Sequence, residues 1–219
     1  MIAENIQKIE AELNGRAQLI AVTKTKPVAM LQEAYEAGCR MFGENKVQEM
    51  VEKQPQLPAD VKWHLIGHLQ TNKVKYIAPF VALIHSVDSM KLLQEINKQA
   101  AKHNRSIDCL LQIYIADEDT KFGLSAEEAE LLLTAGELDQ LVNVRIIGLM
   151  GLATNTDNEA QIRQEFRGLK QLYDRLSAIS RPNVAFEQLS MGMSGDYQIA
   201  VEEGSTLVRV GSAIFGSRN

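Results

Sequence analysis

The sequence predicts an α/β fold: a single closed barrel of eight parallel strands alternating with helices, preceded by one extra helix. From Leu19 onward, short apolar or β-branched runs alternate with helical stretches, and about eight such runs occur, the number that closes a parallel β/α barrel. A doubly wound open sheet shows similar alternation, but the early G-x-G-x-x-G loop that would mark one is missing. With 219 residues, 45% of them hydrophobic, the chain can bury a full core, and no linker or low-complexity stretch divides it. One domain over residues 1–219 is expected, with residues 1–14 as the leading helix and 19–216 as the barrel.

Ile2, Ile6, Ile9 and Leu13 recur at helical spacing and predict an amphipathic helix ending near Asn14-Gly15. The strand candidates follow in order: LIAVTK, RMFGEN, WHLIG, ALIHSVD, IDCLLQIYI, VRIIGLMGLA, VAFEQLS and TLVRVGS. Their near-continuous apolar character is what a sheet buried on both faces requires. Between them, Ser125 and Glu128 form a capping box before the Leu131 to Leu133 run, since each side chain can satisfy an orphan amide of the first turn. Asp157 or Asn158 can cap the helix whose apolar face is Ile162, Phe166, Leu169, Leu172, Tyr173 and Leu176. Gly38 and Gly204 fall where helices should stop.

A net charge of -5 with interleaved signs leaves no basic stripe, so nucleic acid and anionic membrane are poor partners and a small molecule is expected. Cys39 and Cys109 sit in or beside apolar segments, and neither a signal peptide nor a long apolar run precedes the fold. The two thiols read as buried small hydrophobes rather than redox or metal groups, and the address as reducing and cytoplasmic. Every apolar helix face has an assignment within the barrel, so a monomer is expected.

In AVTKTKP, strand alternation puts Ile20, Val22 and Lys24 on one side of the sheet, and Pro27 stops the strand. Lys24 should therefore top the barrel interior, at the strand end where such barrels keep their chemistry. An amine desolvated there loses part of its preference for being charged, and a neutral amine can attack an aldehyde to form a Schiff base. A solvated loop lysine is the competing reading. Lys26 shares strand parity with Lys24 but, next to Pro27, is expected to point past the rim.

Barrels of this kind often bind phosphate with the loops after the seventh and eighth strands. The first of these loops here is Ser190-Met-Gly-Met-Ser-Gly-Asp196, whose Ser190 and Ser194 offer hydroxyls. The second is Val208-Arg-Val-Gly-Ser-Ala-Ile-Phe-Gly216, with Gly211 and Ser212 poised to open a short helix. Arg209, inside an apolar strand, needs a buried acceptor, either a pyridine nitrogen or a neighbouring carboxylate. Asn45 and Glu44 end the second strand and should face the top of the barrel: Asn45 as a polar contact to a ring, Glu44 as that or as a partner of Lys24 or Lys26. His64 is expected in the pocket wall; His68, four residues on, lacks the glutamate of a zinc-protease motif, so no metal is expected. Asp117, Glu118 and Asp119 read as a solvated acidic loop.

With these residues in place, the chain resembles the pyridoxal phosphate homeostasis proteins, which are similar to the barrel domain of alanine racemase and belong to the fold type III group of pyridoxal phosphate (PLP) proteins. The resemblance runs through AVTKTKP, FGENKVQE, WHLIGHLQTNK, the Lys121-Phe122-Gly123 loop, GLMGLA, LSMGMSGDY and GSTLVRVGSAIFG. It implies that Lys24 carries the cofactor, that Arg209 faces the pyridine nitrogen, and that Ser190, Ser194, Gly211 and Ser212 surround the phosphate. Asn45, His64 and Met150 of GLMGLA complete the expected cofactor-binding set. It also implies a role in buffering or delivering PLP, with PLP-dependent apoenzymes as acceptors, and in balancing amino-acid and keto-acid pools. One departure is Thr23, where serine is also common in the family, and it leaves the site intact.

A racemase needs acid/base groups on both faces of the substrate carbon, and in the related enzymes one comes from a second domain of a partner subunit. About 200 residues are needed for the barrel alone, so a carrier without catalytic turnover is expected. Arg209 points the same way, because a guanidinium that cannot accept the ring proton weakens the ring as an electron sink. A low-activity amino-acid racemase and a sugar-phosphate isomerase or aldolase are the alternatives.

Overall fold

The structure is a computed structural model that describes residues 1–119 and 122–217. Lys121 of the Lys121-Phe122-Gly123 motif lies outside the described residues. The leading helix α1 (Ile2–Leu13) buries Ile2, Ile6, Ile9 and Leu13 and ends at Asn14, whose φ of 49° is left-handed. Strands and helices then alternate: β1 (Gln18–Val22), α2 (Val28–Glu36), β2 (Met41–Glu44), α3 (Val47–Lys53), β3 (Lys62–Leu65), α4 (Val74–Ile77) and β4 (Leu83–Val87). The rest are α5 (Met90–Lys102), β5 (Ile107–Ile113), α6 (Ala126–Thr134), β6 (Val144–Gly151), α7 (Glu159–Leu176), β7 (Val184–Ser190), α8 (Tyr197–Glu202), β8 (Leu207–Val210) and α9 (Ser212–Phe215).

All eight strands pair in parallel with their sequence neighbours, and β1 pairs with β8, Ile20 opposite Arg209, so the sheet closes into a barrel rather than an open doubly wound sheet. Each strand matches one of the eight runs in the sequence. Alternation puts Ile20, Leu83, Leu110, Ile147, Met150 and Leu207 in an apolar plug inside the barrel, while Leu19, Ala21 and Phe42 pack outward under the helices. The capping box of Ser125 and Glu128 starts α6, and the Asn158 side chain, not Asp157, caps α7 by accepting from the Gln161 N–H. Gly38 (φ 105°) and Gly204 (φ 107°) follow α2 and α8 as expected. Along α7, Ile162, Phe166, Leu169, Leu172 and Leu176 are buried, each worth roughly 1.5–3 kcal/mol.

Helix α1 lies across the β1–β8 seam, contacting α2, α8 and α9. The Asn5 amide donates to the Ile214 carbonyl at 2.8 Å, and Glu12 accepts from the Tyr197 hydroxyl and, at 3.0 Å, from Gln198. Cys39 and Cys109 are buried and unpaired; burial pushes the Cys39 thiol up to about 11 and raises that of Cys109 as well, so neither is a reactive thiolate. No helix among the described residues is long and apolar enough to cross a membrane.

Candidate functional site

At the carboxyl ends of the strands lies a cavity of about 600 Å³, lined by Val22, Lys24, Lys26, Asn45, Ser194, Arg209, Gly211 and Ser212 among others. Six of the residues singled out in the sequence for a cofactor (Lys24, Asn45, Ser194, Arg209, Gly211 and Ser212) therefore line one cavity. The strand ends at Val22, and Lys24 follows in a turn closed by the Lys26 N–H donating to the Thr23 carbonyl at 3.1 Å. Thr25, the third residue of that turn, has a φ of 65°, which a β-branched residue adopts at a cost of about 1–3 kcal/mol. Because the turn redirects the chain, strand parity no longer governs Lys26. Its side chain does not pass the rim but lines the same cavity, with Nζ 3.4 Å from the Gly216 carbonyl.

Asn45 is brought to the cavity by a close backbone approach. A Cβ at Gly67 would lie 2.4 Å from the Asn45 carbonyl oxygen, so only glycine lets β3 and β2 end side by side here. Glu44 has turned away. Fully buried, it accepts from Lys53 Nζ at 2.7 Å and from the Thr23 hydroxyl at 2.7 Å, so it pairs with neither Lys24 nor Lys26. Burial raises its pKa against the lowering effect of Lys53.

On the opposite wall, the Ser194 hydroxyl oxygen accepts the N–H groups of Gly211 and Ala213, each at 3.2 Å, which draws the β7–α8 loop over the start of α9. The two glycine- and serine-bearing loops thus converge, as their positions after the seventh and eighth strands predict. Ser190 does not join them. It is fully buried, and its hydroxyl accepts from Arg209 Nη1 beneath the cavity. Arg209 is 3% exposed, and its second nitrogen donates to the Gly151 carbonyl at 3.0 Å. No ion pair holds it among the described residues, so the carboxylate alternative does not apply. Burial lowers its pKa to about 10, with Asp196 raising it in part. Of five guanidinium N–H donors, the protein engages two, which leaves donors for an acceptor in the cavity Arg209 lines.

The sequence reading missed His85. Its Nδ1 lies 2.9 Å from Ser190 Oγ and its Nε2 lies 2.9 Å from His64 Nδ1, so a buried polar chain links Arg209, Ser190, His85 and His64. Burial holds His64 down at about 3 and His85 well below the ordinary imidazole value, so both are neutral. A neutral imidazole has one N–H. Because the Ser190 oxygen already accepts from Arg209, its own hydrogen is free to reach His85 Nδ1, and His85 Nε2–H then donates to His64. Every donor in the chain then points away from the guanidinium. His64, 4% exposed, lies below the cavity rather than in its wall, and Met150 belongs to the apolar plug under it. It is His68 that lines the cavity, with Asp88 at 3.8 Å. Gln112 and Phe122, also unforeseen, complete the lining on the β5 side. No cluster of three or more His, Cys, Asp or Glu side chains among the described residues could hold a metal ion.

The donor set suits PLP: an amine for the aldehyde, a buried guanidinium for the ring nitrogen, and hydroxyls with backbone N–H groups for the phosphate, all around one cavity. Comparison with known proteins agrees. Residues 1–219 match the family model for the alanine racemase N-terminal domain. The pyridoxal phosphate homeostasis protein of Aquifex aeolicus is 41% identical, over 99% of this chain and 95% of its own length. The solved structure of PipY from Synechococcus elongatus without PLP superposes with a TM-score of 0.92 at 38% identity, covering 99% of this chain and 100% of that one. The structure of PipY with PLP bound gives a TM-score of 0.90 at 37% identity, with the same coverage.

Proposed function

We propose that this chain, which belongs to the pyridoxal phosphate homeostasis protein family, binds PLP as a Schiff base on Lys24 and acts as a carrier and buffer of the cofactor. The observation that carries the reading is the placement of Lys24 on the same cavity as Arg209 and the Ser194–Gly211–Ser212 cradle. Lys24 would supply the amine that condenses with the PLP aldehyde, with loss of water. Asn45 offers its amide to the ring, and Arg209 donates to the ring nitrogen. Ser194, Ser212 and the N–H groups of Gly211 and Ala213 take the phosphate, with Ser194 surrendering its present contacts to do so. Ser190, His64 and Met150 support the cofactor from beneath rather than touching it. Bound PLP supplies an electrophilic carbon and a conjugated ring, and Arg209 keeps that ring's nitrogen unprotonated, which suits storage better than carbanion chemistry.

Borohydride reduction of the PLP-loaded chain followed by peptide mass spectrometry tests this. The pyridoxyl label is expected on Lys24, and Lys24→Ala should lose it together with the visible absorbance that hydroxylamine strips from the unaltered protein. A label on Lys26 or Lys121 refutes the assignment. Turnover of single amino-acid enantiomers that disappears in Lys24→Ala would replace the carrier with a racemase.

A further inference from the structure

A cluster of charged side chains packs against the Lys24 turn. Lys53, at the end of α3, is 7% exposed and donates from one ammonium to three oxygens: the Thr23 carbonyl at 2.7 Å, Glu44 Oε1 at 2.7 Å and Glu49 Oε2 at 2.6 Å. The same Glu49 oxygen accepts the Thr25 N–H at 2.7 Å. The Thr23 carbonyl belongs to the peptide unit before Lys24, and the Thr25 N–H to the peptide unit after it. The two halves of one ion pair therefore grip both peptide units that bracket the Lys24 Cα. By contrast the Lys170 ammonium and the Asp174 carboxylate, an ion pair at the same helical spacing on α7, hydrogen-bond only each other among the described residues.

We propose that Lys53 and Glu49 are positioning residues for Lys24, a clamp on α3 that fixes the backbone of the lysine turn and so aims its amine across the cavity. The inference rests on the cofactor reading and deepens it. With the carbonyl and the N–H both held, the φ and ψ of Lys24 are fixed, and the direction of its Cα–Cβ bond with them. The clamp also holds Thr25 in a left-handed conformation that its own side chain disfavours. Glu44 fixes the base of the device, tying Lys53 and the Thr23 hydroxyl to the end of β2. Burial raises the Glu49 carboxyl, but its bonds from Lys53 and Thr25 outweigh that and hold it below the ordinary carboxylate range, so Glu49 is ionised at neutral pH. An amine misaimed by an ångström reacts more slowly without being lost as a site.

The test is the rate at which the full chain captures added PLP, followed by stopped-flow absorbance, with borohydride labelling to locate the adduct. Glu49→Ala, at a partly exposed position, is expected to slow capture about tenfold or more while the label stays on Lys24. Glu49→Gln, which keeps an oxygen for the Thr25 N–H, should recover most of the rate. Thr25→Gly, which adopts a positive φ without strain, should recover part of it in the Glu49→Ala background. Lys53→Met with Glu44→Gln removes the other half of the clamp without stranding a buried carboxylate, and should slow capture in the same way. Capture by Glu49→Ala and by the double variant within twofold of the unaltered chain overturns the clamp. So does a loss that tracks only the fraction unfolded, or one that Glu49→Gln and Thr25→Gly leave unrelieved. An unaltered chain that takes no label on Lys24 refutes the cofactor reading itself, and the clamp with it.

Discussion

The paired histidines beneath the cavity make stability fall on mild acidification. Both imidazoles have folded-state pKa values depressed by burial from 6.5, His64 to about 3 and His85 well below that ordinary value. The unfolded chain therefore binds protons that the folded chain refuses, and the loss grows as pH drops below the ordinary imidazole value. Going from about pH 7 to about pH 5.5, each histidine withdraws about 1 kcal/mol, and the pair about 2–3 kcal/mol, from a total that for a domain is about 5–15 kcal/mol. Carboxylates held below their ordinary range, Glu12, Glu49, Asp60 and Glu203, lose their contribution only as pH falls through and below 4.5, under this window. Glu10, Glu44 and Asp196 are raised by burial and act with the opposite sign, gaining stability as they protonate. A double variant, His64→Gln with His85→Gln, keeps every carboxylate and removes both imidazoles, so the difference in slope isolates the pair. Urea unfolding followed by circular dichroism at several pH values measures it. A change of less than about 0.5 kcal/mol across the window, or a slope that survives in the double variant, refutes two neutral buried imidazoles.

Two further perturbations probe the same core. Ser190→Ala strands the Arg209 Nη1–H and His85 Nδ1 without partners. At about 1–3 kcal/mol for each, the denaturation midpoint should fall by the equivalent of about 2–6 kcal/mol, and PLP affinity with it. An unmoved midpoint would break the polar chain. Gly148, with a φ of 153° where β6 shifts register against β7, has no space for a side chain, since a Cβ would sit 1.7 Å from the Gln188 carbonyl oxygen. Gly148→Ala should cost more than about 4 kcal/mol and leave little soluble protein, and a variant melting like the unaltered chain would contradict that backbone approach.

The fold was legible because its determinants are periodic. Ile2, Ile6, Ile9 and Leu13 announce α1, and the eight apolar runs announce the strands, since local spacing and global burial agree. At the site, residues placed by strand ends and turn chemistry were also readable: Lys24, Asn45, Ser194, Arg209 and Gly211. What the sequence hid depends on pairings between distant strands. His64 and Ser190 lie below the cavity because each strand enters the barrel at its own height, which no single strand's alternation reveals. A signal for His85 was present, since a histidine amid the apolar run ALIHSVD raises the same demand for a buried partner as Arg209. Lys53 carried one too: it shares a helical face with the buried Val47 and Met50, an unusual place for a lysine without carboxylates nearby. Lys26 misled because parity stops at Val22, where the turn begins.

The seam between β1 and β8 has a consequence for synthesis. The Lys24 turn follows β1, whereas the N–H groups of Gly211 and Ala213 that meet Ser194 follow β8, almost the full chain later. On the proposed reading, a nascent polypeptide still short of β8 holds the nucleophile before it has the phosphate grip or the guanidinium for the ring. Loading with vitamin B6 would then report that translation has reached the far edge of the sheet and that the ring of strands has locked.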